Sequence, residues 1–383
     1  MLKLHRVLLT LCMLLIFTRP PAVLAQQMID APDVTLAAVY RDAPVYAGPG
    51  ETYERVGALS AGSEVTIHER NRIGNWLRVV ANRRGLDGWV MTGYLTLTDG
   101  LRFSNVPENA TISDADLNNL PRDLRRLYAA PVIPVLTSSQ RQRLRRVYDA
   151  GQENGLANDH LTKVGDSVIA SFMYLQPMAN PDNVFGPYDY LRHVVGYYAQ
   201  SAGQPSVAAV VGLSSTVVFD PTWADSGLCE TGESPLDCEY RRKRPAFAFI
   251  AFGPNDLRAI EVDLYRESMT RIVEATLERG IIPILSTFTC SPEDFRWTKC
   301  VDFNFALVEV AAEQDVPLIN FWAAARSLPN YGLDVDSTHL LQTGFRYLKH
   351  DTGHESWYGA ALQNLLSIRT LYELVTTLEI EMD

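Results

Sequence analysis

The sequence predicts two folded units, a small all-β barrel followed by a larger α/β domain built as a three-layer sandwich with a parallel sheet between helices. Three observations lead there. Over residues 34–97, short β-rich runs alternate with turn residues and show no helical period. From residue 160 onward, apolar β-branched runs alternate with amphipathic helical stretches. At 383 residues the chain also exceeds one ordinary domain.

Residues 1–25 read as a secretory signal, with Lys3 and Arg6 ahead of the apolar run 7–17 and a small-residue exit at Val23-Leu24-Ala25. That run is shorter than the ~20 residues needed to span a bilayer. Cys12 lies inside it, with no small residues before it, which argues against a lipoprotein cleavage site. The expected mature chain is exported and soluble, with no membrane span. Removing Lys3, Arg6 and Arg19, and no acid, takes the formal charge from −11 to −14. Nucleic acids and anionic membrane surfaces need basic patches, so both are disfavoured as partners.

Four cysteines remain after cleavage: Cys229, Cys238, Cys290 and Cys300. An even number in an exported chain suggests disulfides, and close spacing favours Cys229–Cys238 and Cys290–Cys300 among three possible connectivities. A zinc site is the rival, but neither pair has the CxxC spacing such sites favour.

Within the first unit, "VTLAAVY", "SEVTIHER" and "NWLRVV" are strands, and Trp76 and Trp89 are expected in the core. Residues 98–137 are rich in Asp, Asn and Pro and read as a linker holding one short helix at "LPRDLRRLYAA". The second domain, 138–383, opens with a helix at "SSQRQRLRRVYDAGQENG", capped by Ser138 or Ser139, with Leu144 and Val147 on one face and Gly151 behind. Strands follow at "AFAFIAFGPND", "IIPILSTF" and "VPLINF". Between them lie "VDLYRESMTRIVEATLERG", with Leu264, Met269, Ile272, Val273 and Leu277 on one side and Gly280 as its stop, and then "FNFALVEVAAEQD". A last helix covers "WYGAALQNLLSIRTLYELVTTL".

In such sheets the reactive groups gather on loops at the carboxyl ends of the strands. Gly165-Asp166-Ser167 and Gly253-Pro254-Asn255-Asp256 both occupy that position. A nucleophilic serine needs a base, an acid that orients the base, and donors for the oxyanion. The mature chain has six histidines: His68, His160, His193, His339, His350 and His354. Two follow an aspartate by three positions, Asp336 to His339 and Asp351 to His354. On a loop that spacing lets the carboxylate reach Nδ1–H and leaves Nε2 free to take a proton.

The stretches "YAGPGETYERVGAL", "GNWLRVV" and "DGWVMTGYL", with Gly48-Pro49-Gly50, Trp76 and Gly88-Trp89-Val90, resemble a bacterial SH3-like domain. The resemblance implies binding to cell-wall material. Gly165-Asp166-Ser167 early, Gly253-x-Asn255-Asp256 in the middle and Asp-x-x-His near the end resemble the SGNH/GDSL hydrolases in residue type and chain order. That resemblance implies an esterase with Ser167 as nucleophile and with an oxyanion hole made by the Ser167 and Gly212 N–H groups and the Asn255 amide. His339 with Asp336 is the favoured base pair, and His354 with Asp351 the alternative. No metal or organic cofactor is called for. The implied substrate is an ester, such as an O-acyl group on polysaccharide or wall glycan. The competing expectation is an inactive hydrolase-like domain that binds at the cell surface together with the SH3-like module.

Overall fold

The computed structural model describes residues 35–81, 85–97, 106–109 and 121–382; the signal expected at 1–25 and most of the segment 98–120 lie outside the described residues. The first unit is one antiparallel sheet of β1 (Thr35–Val39), β2 (Ala43–Tyr46), β3 (Arg55–Leu59), β4 (Glu64–Arg70), β5 (Trp76–Ala81), β6 (Leu86–Met91) and β7 (Leu95–Leu97), in the order β3-β2-β6-β5-β4-β1-β7. Its core is aliphatic, built around Val45, Leu59, Ile67, Leu77 and Val90. Trp76 and Trp89 are buried, and Tyr46 meets Trp76 edge to face at 5.7 Å. That geometry suits the ring quadrupole.

Helix α1 (Arg122–Ala129) lies in the stretch read as linker, yet Leu124 and Leu127 are buried in the main core. The Asn320 amide donates to Leu127 O at 2.7 Å and Ala130 O at 2.9 Å, tying the helix down. Two leucines among charged residues are too few to register in composition, but their i,i+3 spacing puts both on one face.

Next comes α2 (Ser138–Glu153), whose cap is Thr137 rather than either serine: its hydroxyl accepts from Gln140 N, and Gln140 returns a bond to Thr137 N. That reciprocal pair is a capping box. Strand β8 (Ala157–Gly165) leads into the short α3 (Ser167–Ala170), and α4 (Arg192–Ala202) and α5 (Pro235–Lys243) precede β9 (Pro245–Ala251). Then α6 (Asp256–Ala259) and α7 (Val262–Leu277) lead to β10 (Ile282–Ser286), α8 (Trp297–Glu313) to β11 (Leu318–Ile319), and α9 (Phe321–Ala325) to the closing α10 (Gly359–Thr377). On α7 the buried stripe is Tyr265, Met269, Ile272 and Val273; Leu264, expected inside, is 44% exposed.

The four strands β8–β11 are parallel in the order β11-β10-β9-β8. Side chains alternate across the sheet, so Phe247, Phe249 and Ala251 join the layer with α2, α4 and α10, while Ala248 and Ile250 join that of α7 and α8. This is the expected three-layer α/β architecture, with apolar burial on both sheet faces. A bridge from Gly165 to Ala209 extends the sheet beyond β8 and brings the 208–216 loop beside the end of that strand. Both expected disulfides are present, Cys229–Cys238 and Cys290–Cys300. Glu233 lies beside the first, but its two sulfurs are bonded to each other and are not free thiolate ligands.

Candidate active site

Strand β8 ends at Gly165, and the chain turns at once into α3. Asp166 caps that turn, its Oδ1 accepting from Val168 N at 2.9 Å, which leaves Ser167 at the rim with its hydroxyl outward. Gly165 is required by space, because a Cβ there would sit 2.2 Å from Ala251 O on the neighbouring strand.

Opposite stands a loop closed by the Leu333–Leu340 bridge and by Asp334 N donating to His339 O at 2.8 Å. Inside it, Asp336 Oδ1 accepts from Thr338 N (2.9 Å) and His339 N (2.8 Å), and Asp336 Oδ2 lies 2.6 Å from His339 Nδ1. His339 Nε2 lies 3.0 Å from Ser167 Oγ. The row Ser167–His339–Asp336 is therefore continuous at hydrogen-bond distance. Burial pushes the Asp336 carboxyl up, but bonds from the His339 ring and from the His339 and Thr338 N–H groups outweigh it and hold the group at about 2. Arg258, on α6, braces the loop by donating to Thr338 Oγ1 at 2.9 Å.

The alternative pair is not assembled. Asp351 is bonded to Lys349 at 2.9 Å, and the His354 ring lies among Phe345 and Tyr358, at 5.6 and 5.5 Å between centroids. Of the other histidines, His160 Nδ1 faces Lys243 O at 2.7 Å, and His350 Nδ1 faces Glu355 at 3.3 Å.

The expected oxyanion donors come from the two loops flanking the serine. Gly212 has φ +87°, a conformation that favours glycine. Asn255 Nδ2 donates to Leu213 O at 2.9 Å, and Asp256 Oδ1 accepts from Ser215 N and Ser215 Oγ, so the 253–256 turn holds the 212–215 segment in place. An amide nitrogen has two N–H groups, so the bond to Leu213 leaves Asn255 one more to donate. Ser215 and Arg258 escape sequence reading, since neither belongs to a motif and only the fold brings them to these loops. Beside Ser167 and His339 opens a cleft of about 260 Å³ with a mainly apolar wall that includes Val168, Phe172, Met173, Val211 and Leu340.

Asp166 and Asp256 are both buried, and each keeps one carboxylate oxygen without a hydrogen-bond partner. Burial raises both, Asp166 to about 7, with the Val168 bond opposing and Asp256 adding to the rise. A carboxyl held above its unfolded value stabilises the fold fully below the ordinary carboxylate range, and that stability is lost as pH rises through about 7. Asp166→Asn keeps an acceptor for Val168 N and cannot ionise. Its Tm, followed by differential scanning fluorimetry, should fall less steeply between about pH 4 and 8 than that of the wild type; parallel curves would refute this account.

Residues 41–96 match the bacterial SH3 domain family. No curated protein matches the chain. Among solved structures the chain is similar to the lipase/acylhydrolase from Enterococcus faecalis, with 20% identity and a TM-score of 0.37 over 58% of this chain and 98% of that one. It is also similar to a psychrotrophic esterase from Pseudoalteromonas sp., with 16% identity and a TM-score of 0.36 over 58% and 100% of the two chains. An acetylxylan esterase from Geobacillus stearothermophilus aligns with 14% identity and a TM-score of 0.37 over 59% and 97%.

Proposed function

We propose that the α/β domain is a serine esterase in which Ser167 is the nucleophile, His339 the general base and Asp336 the group that orients the base. The observation that supports this most directly is the unbroken row from Ser167 Oγ through the His339 ring to Asp336, with 3.0 Å and 2.6 Å spacings. Ser167 attacks the ester carbonyl as Nε2 takes its proton, and Asp336 stabilises the imidazolium that forms. Negative charge on the carbonyl oxygen is met by the N–H groups of Ser167 and Gly212 and the Asn255 amide. The protonated His339 then releases the alcohol. Water, deprotonated by the same ring, frees the acid.

The reading extends to substrate. His339 and Asp336 side chains are 46% and 49% exposed, so the row lies at an open rim where an acyl group on a bulky alcohol can approach. The apolar wall at Val168, Phe172 and Leu340 suits a short acyl chain. We infer an exported enzyme that removes O-acyl groups from polysaccharide or wall glycan, consistent with its two disulfides.

The test is hydrolysis of 4-nitrophenyl acetate, butyrate and octanoate, and acetate release from acetylated xylan, by the purified chain beside Ser167→Ala. The expected result is turnover of the shorter esters and of the polymer, with none by the variant. Equal rates for the two proteins on every substrate would overturn the esterase reading.

A further inference from the structure

The barrel bears on the larger domain at the foot of the His339 loop. The turn that makes the contact, residues 71–75, is stiff: Asn71 Oδ1 accepts from Gly74 N (3.0 Å) and Trp76 N (3.1 Å), Asn71 Nδ2 donates to Asn75 (2.8 Å), and Thr92 Oγ1 donates to Gly74 O (2.6 Å). From this turn Ile73 enters the apolar cluster that holds Leu124, Leu127 and Trp322 of the α/β domain. Gly74, at φ +85°, lies flat against Tyr331; a Cβ there would fall 2.2 Å from the Tyr331 hydroxyl and 2.8 Å from its ring.

Tyr331 is fully buried and has an unusual backbone. Asn330 and Tyr331 are consecutive non-glycine residues at positive φ, 47° and 54°. Side chains rarely adopt that region, and such strain persists only where surroundings over-determine it. Here Thr289 Oγ1 donates to Tyr331 O at 2.8 Å, and the Arg326 guanidinium, itself bonded to Thr289 at 2.7 Å, lies 4.5 Å from the ring centroid. The barrel turn closes the remaining side. One residue on, Gly332 O accepts from Leu341 N at 2.9 Å, which joins the two legs of the loop, and Asn330 Nδ2 donates to Leu333 O. Asp336 and His339 hang from that junction.

We propose that the bacterial SH3 domain serves within this chain as a fixed abutment for the His339 loop, with the 71–75 turn pressing on Tyr331. Tyr331 is then a positioning residue, acting on the base through the loop and touching no substrate. The catalytic part of this inference rests on the esterase reading; the mechanical part does not.

The test uses the full chain with Gly74→Ala, Gly62→Ala and Gly74→Ala/Tyr331→Phe. Gly62 is the control, with φ +80° in the same barrel but nothing within 4 Å of its Cβ position, so alanine there brings the backbone strain without the contact. Hydrogen exchange over residues 328–341 should rise in Gly74→Ala and not in Gly62→Ala. On 4-nitrophenyl acetate, kcat of that variant should drop by roughly tenfold to a hundredfold while KM stays within about twofold, as expected when a catalytic group is displaced and the cleft is not. Tyr331→Phe removes the nearest clashing atom and should restore part of both. Exchange unchanged at 328–341, or equal effects from Gly62→Ala, would overturn the abutment. If no ester is hydrolysed but exchange rises in Gly74→Ala and not in Gly62→Ala, the abutment stands and the esterase reading falls.

Discussion

Ser167→Ala and His339→Ala are each expected to lower kcat for aryl-ester hydrolysis by roughly 10⁴ to 10⁶, and the double variant by little more. Nucleophile and base act as one unit, because an alcohol without an acceptor for its proton is a poor nucleophile and the ring alone has nothing to activate. Asp336→Asn should retain the loop, since an amide oxygen still accepts from the Thr338 and His339 N–H groups, and yet lose about 10⁴ by presenting the wrong tautomer of His339. His354→Ala should remain close to wild type, because that ring lies among aromatic side chains away from Ser167. Stopped assays with a serine-directed fluorophosphonate as active-site titrant would check all four. A dead His354→Ala beside an active His339→Ala would refute the assignment of the base.

The second large effect is expected at Gly165. In register with Ala251 across β8 and β9, it has no room for a methyl group: a Cβ would lie 2.2 Å from Ala251 O and 2.7 Å from Ile169 Cγ1. A carbonyl in a sheet ladder cannot swing aside as a flexible side chain can, so alanine must part the strands or tilt the Ser167 turn. Gly165→Ala should cost about 1–3 kcal/mol from overpacking. A shift of about 1 Å in Ser167 should lower kcat by around a hundredfold. Gly196→Ala in α4 is the matched control: nothing lies within 4 Å of its Cβ position, so better helix propensity should leave stability equal or higher by up to about 1 kcal/mol. Urea unfolding and single-turnover acylation would separate the two costs, and unchanged acylation by Gly165→Ala would sink the argument.

Much of the architecture was legible because it depends on local periodicity. Strand and helix periods differ, so the alternation after residue 160 requires a parallel sheet between helices, and the short runs of 34–97 require a barrel. The candidate site was legible in kind, since Gly-Asp-Ser and Gly-x-Asn-Asp sit at strand ends wherever the boundaries fall, while Asp-x-x-His was legible only as a spacing, on a loop 17 residues beyond the last strand. Small errors came at one helix cap and in the phase of one helix face. Thr137 outcompetes Ser138 and Ser139 as a cap only because Gln140 faces it. Tyr265 and not Leu264 is in the core because it lies at i, i+4, i+7 and i+8 with Met269, Ile272 and Val273, and its hydroxyl donates to Phe252 O at 2.9 Å.

By itself, then, the sequence determined the two fold classes and the order of the candidate site residues, and it favoured the close pairing of the cysteines, all from spacing along the chain. Tertiary structure alone decided which histidine meets Ser167, because Asp336-x-x-His339 and Asp351-x-x-His354 have the same spacing and differ only in what packs around them. Lys349 takes Asp351 and aromatic rings hold His354, while the 333–340 loop carries His339 across to the end of β8. It also decided that the barrel turn lies against Tyr331, a contact between residues more than 250 positions apart that no local pattern encodes.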